Sequence, residues 1–118
     1  MVNWTRINTA NIYEQKIYKV TAKFKIEDVF QLTDRRFYLL GEIIEGEINP
    51  GQLMDLETIG LHKKIKIESI ELGNKPNNGK PWNGIGLGTN ELKENDKLYL
   101  KQQSSLHPTI NIITPQPI

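Results

Sequence analysis

Apolar and polar residues alternate most clearly between residues 18 and 27. Apolar side chains occupy every second position, and polar or charged side chains fill the positions between them. The apolar set is Tyr18, Val20, Ala22, Phe24 and Ile26. A period of two places one set on each face of an extended chain, so the pattern predicts a strand with one buried face.

Residues 37–44 are an apolar run rich in aromatic and β-branched residues. The run is too short for a typical helix and predicts a second, more buried strand. Asn49-Pro50-Gly51 predicts a type II turn, because Pro presets a negative φ and Gly accepts a positive one. The segment 52–57 is then predicted to be a short return strand, with Met54 and Leu56 facing inwards.

Residues 64–72 predict a further strand that contains an irregularity. The first two isoleucines share one parity, and the last two apolar residues share the other. One extra residue around Glu68-Ser69 would restore a single apolar face, so we expect a β-bulge there.

The remaining central segments predict two more strands separated by polar connections. Gly, Asn and Pro make 73–81 a predicted loop. Residues 82–89 and 97–101 are predicted to be the last two strands, joined by a polar turn through 90–96. Short strands divided by turns, without an amphipathic helix of about 12 residues among them, favour an all-β barrel.

The chain is predicted to be one domain over residues 1–118, since single domains commonly have about 100–150 residues. The barrel would occupy approximately 17–101. Residues 1–16 would form a flank with a short helix or an extra strand. Residues 102–118 carry three prolines and predict an extended tail. There is no internal repeat and no linker that would divide the chain.

The composition excludes several classes of protein. Fifteen Lys and Arg stand against fourteen Asp and Glu, and this balance is not typical of a broad phosphate-neutralising surface. The absence of Cys excludes disulfides and thiolate metal sites, and the two His lie too far apart for a local metal motif. No apolar run is long enough for a membrane span, and the N-terminus lacks the features of a signal peptide. We therefore expect a soluble, cytoplasmic protein that binds no metal.

Five sequence segments stand in the order and spacing of a known domain. They are IEDVF at 26–30, GEIIEGEINPG at 41–51, KIKIESIEL at 64–72, IGL at 85–87 and LKENDKL at 92–98. Together they resemble the second domain of translational GTPases of the elongation factor Tu type, over about residues 20–100. Asn95 stands where that family usually has Gly, and Asn replaces Gly well at a left-handed position. The resemblance implies a closed six-stranded antiparallel β-barrel.

The phosphate-binding loop of a GTPase is not matched by this sequence. The nearest segment, 73–81, has five residues between its glycines instead of four, and Pro81 stands where the magnesium-binding hydroxyl is required. We therefore expect the chain to bind no GTP and to use no cofactor.

The resemblance implies a binding site at Glu27, Asp28, Phe30 and Glu71. In the family, the position matching Glu71 approaches the terminal adenosine of aminoacyl-tRNA, and the other three lie near the amino-acid end. Carboxylates suit such a pocket because they accept hydrogen bonds from amino groups and ribose hydroxyls. The alternative is that Phe30 belongs to the core and that the carboxylates cap turns or face water.

Gly84, Gly86 and Gly88 alternate along a predicted strand and would leave a bare backbone strip on one face. Such a strip serves either for close packing of a neighbouring group, Trp82 among them, or as a backbone groove for a ligand or partner segment. As a dinucleotide fingerprint the spacing fails, because the third Gly is one residue too early and no helix is predicted to follow.

Charge is segregated along the chain although it balances overall. The basic residues concerned are Lys19, Lys23, Lys25, Lys64 and Lys66. If their two strands adjoin, these lysines form a patch that contacts RNA phosphates or an acidic protein. The alternative is an ordinary solvated barrel surface, since the patch has no interleaved Arg and no exposed aromatic stack.

Catalysis is not predicted, because the serines and two histidines supply no nucleophile with a base and an orienting group. Asp55, Glu57 and His62 could meet across strands, but three such residues in any β protein would do so by chance. We therefore expect a non-catalytic binding module that contacts RNA, at a tRNA end or on the ribosome, or a protein partner. The alternative is a structural or protein-interaction barrel unrelated to translation.

Overall fold

The structure, a computed structural model, describes residues 17–31, 34–77 and 80–117. Over 73–77 and 80–83 this description is of the backbone. The predicted N-terminal flank, 1–16, lies outside the described residues.

Seven strands, one α-helix and one short 3-10 helix make up the described part of the chain. In order they are β1 (Ile17–Gln31), β2 (Phe37–Gly46), β3 (Leu53–Asp55), the 3-10 helix (Leu56–Ile59), β4 (Lys64–Lys66), β5 (Ser69–Asn77), β6 (Lys80–Thr89), α1 (Glu94–Ser104) and β7 (Thr109–Gln116).

The seven strands form a single antiparallel sheet in the order β4-β3-β7-β1-β2-β6-β5. Its two outermost strands are consecutive in the chain and are separated by Ile67 and Glu68 alone. Lys66 ends β4 and Ser69 begins β5, and three extended steps of the chain span at most about 11 Å, so the sheet must curl to bring its ends together. The protein is therefore predominantly β, with its sheet rolled into a half-barrel.

The corner between β4 and β5 replaces the β-bulge predicted around Glu68-Ser69. The amide of Ile67 donates to the carbonyl oxygen of Gln52 at 2.8 Å, which continues the pairing with the β3 side. The next amide, of Glu68, donates to the carbonyl oxygen of Gly88 at 2.8 Å, on the β6 side. The parity break in the sequence thus marks a change of partner strand, and the prediction of one bulged strand over 64–72 is wrong.

The strand predicted from the alternation at 18–27 is confirmed as part of β1. Ala22, Phe24 and Ile26 are buried in the core. Val20 is exposed because an extra residue at Thr21, in the register with β7, shifts the alternation at this end. The core residues from the other elements include Leu39, Met54, Leu87, Leu100, Ile110 and Ile112.

The strand predicted over 37–44 is confirmed as part of β2, but it is not buried throughout, since Ile43 and Ile44 are exposed. The turn at 49–51 is also confirmed. The amide of Gln52 donates to the carbonyl oxygen of Asn49, and Gly51 has a φ of 94°, as a type II turn requires. Met54 and Leu56 are buried as predicted. The return strand predicted over 52–57 is shorter than expected, however, because β3 ends at Asp55 and Leu56 begins the 3-10 helix. β3 pairs with β4 and β7.

The segment 73–81, predicted to be a loop, lies largely in a hairpin. β5 continues to Asn77 and β6 begins at Lys80, with register pairs from Ser69↔Gly88 to Asn77↔Lys80. The predicted strand over 82–89 is confirmed within β6. The sequence signal for the hairpin is Asn-Gly at 78–79, a dipeptide favoured between paired strands. The prediction of a loop over 73–81 followed from the prolines and asparagines around this dipeptide, since both residue types are common in loops.

The strand predicted over 97–101 is wrong, because this segment lies inside α1. Its inward stripe is Asp96, Leu100 and Ser104, spaced four residues apart, and only Leu100 is apolar. A helix with so narrow an apolar stripe gives no amphipathic pattern in the sequence. Seven of its eleven residues are nevertheless Glu, Lys, Leu or Gln, which are good helix formers. Asp96 also accepts a hydrogen bond from the amide of Lys93 at the start of the helix.

The extended tail predicted over 102–118 is also wrong. Residues 109–116 form β7, which lies inside the sheet between β1 and β3. Ile110 and Ile112 are fully buried. Pro108 lies just before the strand, Pro115 lies near its end and Pro117 follows it. The loss of an amide donor is tolerated at these positions, so the prolines mark the two ends of a strand.

Candidate binding face

Three of the four residues implied by the resemblance converge on the outer face of the sheet. Two neighbouring rows of register partners cross β1, β2, β6 and β5 in that order. The first row is Asp28, Leu40, Gly86 and Glu71, and the second is Phe30, Tyr38, Gly88 and Ser69. We call these eight residues the binding face.

The binding face is opposite the core because the residues between its members point inwards. Leu39 and Leu87 are fully buried, and Val29 and Ile70 pack against the core. On the outer side, Phe30 is 44% exposed. Four strands span about 14 Å, so the face can contact a ligand that presents different groups to Asp28 and to Glu71.

A β-bulge at Glu27 gives β1 the parity that this face requires. Ile26 pairs with Gly41, whereas Asp28 pairs with Leu40, so Glu27 is the extra residue in the register. The bulge turns Phe30 outwards, and the reading of Phe30 as a core residue is therefore wrong. The side chain of Asp28 is exposed, and one of its oxygens accepts a hydrogen bond from the amide of Val29 at 2.8 Å. Glu27 is half-buried and belongs to neither row.

Tyr38 covers the glycine strip on β6. A Cβ atom at Gly88 would lie 2.6 Å from Cε1 of Tyr38 and 2.5 Å from the hydroxyl oxygen of Ser69. A Cβ atom at Gly86 would lie 3.3 Å from Cδ1 of Tyr38 and 3.1 Å from a methyl carbon of Leu40. The side chains of β2 thus occupy the strip at these two glycines, and Gly84 follows as a buried residue of the same strand.

Hydrogen bonds link Tyr38 to the polar end of the binding face. Its hydroxyl donates to Oε1 of Glu71 at 3.4 Å and accepts from the hydroxyl of Ser69 at 3.5 Å. Glu71 is exposed beside this aromatic ring. The arrangement offers an apolar floor of aromatic rings with a carboxylate at each side, which suits a ligand with apolar parts and hydrogen-bond donors.

Glu68 holds the corner of the sheet next to this face. Its carboxylate accepts hydrogen bonds from the amide of Asn90 and the hydroxyl of Thr89, and it lies 3.6 Å from Nε of Arg36. The hydrogen bond from the Asn90 backbone lowers the pKa of Glu68, although partial burial opposes that shift. Through its contacts with Thr89 and Asn90, the carboxylate joins the start of β5 to the end of β6.

The five lysines proposed as a basic patch do not form one. β7 and β3 lie between β1 and β4, so the two basic strands do not adjoin. Lys23 and Lys25 are directly opposite Glu45 and Glu42 on β2. The acidic and basic stretches of the sequence are thus neighbours in the sheet, where opposite charges offset each other.

Lys64 and Lys66 lie on β4, at the far edge of the sheet, where Lys64 is ion-paired with Glu57. Glu57 raises the pKa of Lys64 through this hydrogen bond, and Lys64 lowers the pKa of Glu57. The Nζ atom of Lys64 also lies 5.5 Å from the centre of the Tyr18 ring. Lys66 and Lys19 are exposed, on strands β4 and β1.

Asp55, Glu57 and His62 meet at that same edge, but their contacts are structural. Asp55 caps the 3-10 helix by accepting the amide of Glu57, and Nδ1 of His62 lies 3.7 Å from a Glu57 oxygen. Over residues 17–31, 34–77 and 80–117, no group of three or more His, Asp and Glu is arranged to hold a metal ion. No helix in those ranges has the length and apolar character to cross a membrane.

Three members of the binding face were missed by sequence reasoning. Tyr38, Leu40 and Ser69 carry no motif, and their place depends on which residues of β2, β5 and β6 are paired. Tyr38 and Leu40 are two positions apart in the strand predicted over 37–44, so the sequence did indicate that they share a face. The register that brings them beside Phe30 and Glu71 is not contained in any single strand.

Comparison with protein-family models, with curated proteins and with solved structures found no match for this chain. The class of the protein is therefore defined by its own architecture, a β-rich fold with one curled antiparallel sheet and an acidic, aromatic outer face.

Proposed function

We propose that the chain is a non-catalytic binding module resembling the second domain of translational GTPases, and that its binding face takes the aminoacylated 3′ end of tRNA. The observation that carries the proposal is the convergence of Asp28, Phe30 and Glu71. These residues are up to 43 positions apart in the sequence, on two strands at opposite ends of the four-strand surface. The resemblance implies all three as site residues, and all three lie in the two rows of register partners on one face.

The chemistry of the face supports an aminoacyl end as its ligand. A carboxylate at Asp28 and another at Glu71 offer acceptors for an amino group and for ribose hydroxyls about 14 Å apart. Phe30 and Tyr38, direct partners in the register, supply apolar surface between them. The face has no Lys or Arg among its eight members, so it favours the end of the nucleic acid over its phosphate backbone.

The proposal includes a closed barrel of the translation-factor type. What supports closure is the corner at Ile67 and Glu68, where consecutive residues pair with opposite sides of the sheet. The segment 92–98, matched to the closing strand of that family, leads into α1 here, so that part of the resemblance does not support the proposal.

Equilibrium binding of aminoacyl-tRNA, compared with the same tRNA uncharged, tests this function. We expect the wild-type protein to prefer the charged form and Glu71→Lys to lose at least about tenfold in affinity, as removal of a hydrogen-bonding partner does. Glu47→Lys is the matched control, since Glu47 is exposed and lies outside the face, and it should bind like the wild type. Equal affinity of the wild type and Glu71→Lys, or of charged and uncharged tRNA, would reject the proposal.

A second candidate is a protein-interaction barrel unrelated to translation. The observation that favours it is the pairing of Lys23 and Lys25 with acidic neighbours, which leaves this surface without the basic stripe that RNA phosphates attract. Recovery of a stoichiometric protein partner with the tagged chain, without tRNA or ribosomes, would favour this candidate.

A further inference from the structure

The outer part of the β5–β6 hairpin extends beyond its neighbour in the sheet. β2 pairs with β6 between Ile85 and Thr89. Residues 80–84 of β6 instead pair with residues 73–77 of β5, and within the described ranges neither segment has a second partner strand. We call these ten residues the arm. Gly73 and Gly84 face each other at its base.

The arm differs from the rest of the chain in charge. It contains Lys75 and Lys80 and no acidic residue, whereas the other residues together contain thirteen basic and fourteen acidic side chains. It also contains Trp82, one of the two tryptophans of the protein. A basic segment with an aromatic residue has the composition with which proteins hold single-stranded nucleic acids.

The register places these residues on one face. Lys75 is directly opposite Trp82, and Asn77 is directly opposite Lys80, two rungs further along. Since a strand has a period of two, these four positions share a face of the arm. Counting back along β5, Lys75, Gly73 and Glu71 have the same parity, so this face continues the binding face.

Two prolines make the arm unsuitable for binding by strand addition. Pro76 and Pro81 are directly opposed in the register. Each lacks an amide donor, so both strands are poor templates for a further strand. Contacts made by the arm must therefore come mainly from groups other than its backbone edges.

We infer that the arm binds single-stranded nucleic acid, with Lys75 and Lys80 contacting phosphates and Trp82 stacking on an unpaired base. The arm is a second contact surface beside the binding face, and it should bind a nucleic acid that carries no amino acid. The arm supplies the phosphate contacts that the acidic binding face does not.

A ten-nucleotide oligouridylate, and the matching oligothymidylate, are the probes for this inference. Fluorescence of a Trp4→Phe variant reports on Trp82 alone, and we expect saturable quenching on addition of either oligonucleotide. Lys75→Glu with Lys80→Glu should weaken binding at least tenfold and reduce the slope of log K against log salt by about 1.4, or 0.7 for each phosphate contact. Trp82→Ala should lose about tenfold, while Trp82→Phe should retain most of the affinity.

The matched control is Lys66→Glu with Lys101→Glu, which changes the net charge equally at two exposed positions outside the arm. It should bind with less than a threefold loss. Absence of quenching in the Trp4→Phe protein, or an equal loss in the two double variants, would overturn the inference. Because the oligonucleotide carries no amino acid, either result is distinguishable from failure of the binding face with aminoacyl-tRNA.

Discussion

Two phenylalanines of β1 show how one residue determines which side chains are available for binding. Phe24 and Phe30 are six positions apart, and uninterrupted alternation would place both on the same face. Phe24 is fully buried, whereas Phe30 is 44% exposed. The extra residue at Glu27 reverses the alternation between them, and so assigns one ring to the core and the other to the binding face.

We expect Phe24→Ala to reduce the free energy of unfolding by about 3–5 kcal/mol, because it removes a large side chain from a packed core. Phe30→Ala on the same strand is the matched variant and should cost less than about 1 kcal/mol. Urea unfolding followed by circular dichroism measures both values. Similar losses in the two variants would show that the bulge does not reverse the strand.

At the scale of elements, an ion pair holds α1 to the loop before β4. Nζ of Lys63 lies 2.6 Å from Oδ2 of Asp96, and the same oxygen accepts the amide of Lys93 at the start of the helix. Asp96 is only 7% exposed. The hydrogen bond from Lys63 lowers the pKa of Asp96, and the Lys93 amide adds to this effect while burial opposes it.

This pKa shift predicts how stability depends on pH. A carboxyl group with a lowered pKa in the folded state stabilises the protein above its ordinary pKa of about 3.9, and this contribution is lost as the pH falls through the folded-state value. Asp96→Asn removes the charge and keeps an acceptor for the Lys93 amide. We expect it to cost about 1–2 kcal/mol at pH 7 and progressively less below about pH 4.

Unfolding curves of the wild type and Asp96→Asn between pH 2.5 and 7 make this measurement. Lys63→Met should show the same convergence in acid, since it removes the other member of the pair. A difference in unfolding free energy that stays constant, or that grows as the pH falls, would contradict the assigned role of the ion pair.

The elements also show which parts of the fold could be predicted from the sequence. Alternation at 18–27 and the apolar run at 37–44 identified β1 and β2, because each buries one face through its own residues. α1 was missed because Asp96 and Ser104 occupy two positions of its inward stripe. β7 was missed because its flanking prolines resemble those of a tail, and its burial depends on β1 and β3, far away in the chain.

At the scale of the molecule, the order of the strands determines which residues, distant in the sequence, lie together on one surface. The binding face exists because β2 and β6 lie between β1 and β5. The same order separates β1 from β4 and places the lysines of β1 beside the glutamates of β2. The identities of Asp28, Phe30 and Glu71 could be selected from the sequence, whereas their neighbours Tyr38, Leu40 and Ser69 depend on a register that only the folded sheet defines.

The central claim is that these rows form one ligand-binding surface, and mapping of amide signals by nuclear magnetic resonance tests it most directly. On titration with aminoacyl-tRNA, we expect shifts at Asp28, Phe30, Tyr38, Glu71 and Gly88, and unchanged signals along the exposed side of α1. In Glu71→Lys the shifts at the face should disappear while the remaining spectrum stays that of a folded protein. Equal shifts in the two proteins, or shifts that avoid these five residues, would contradict the claim.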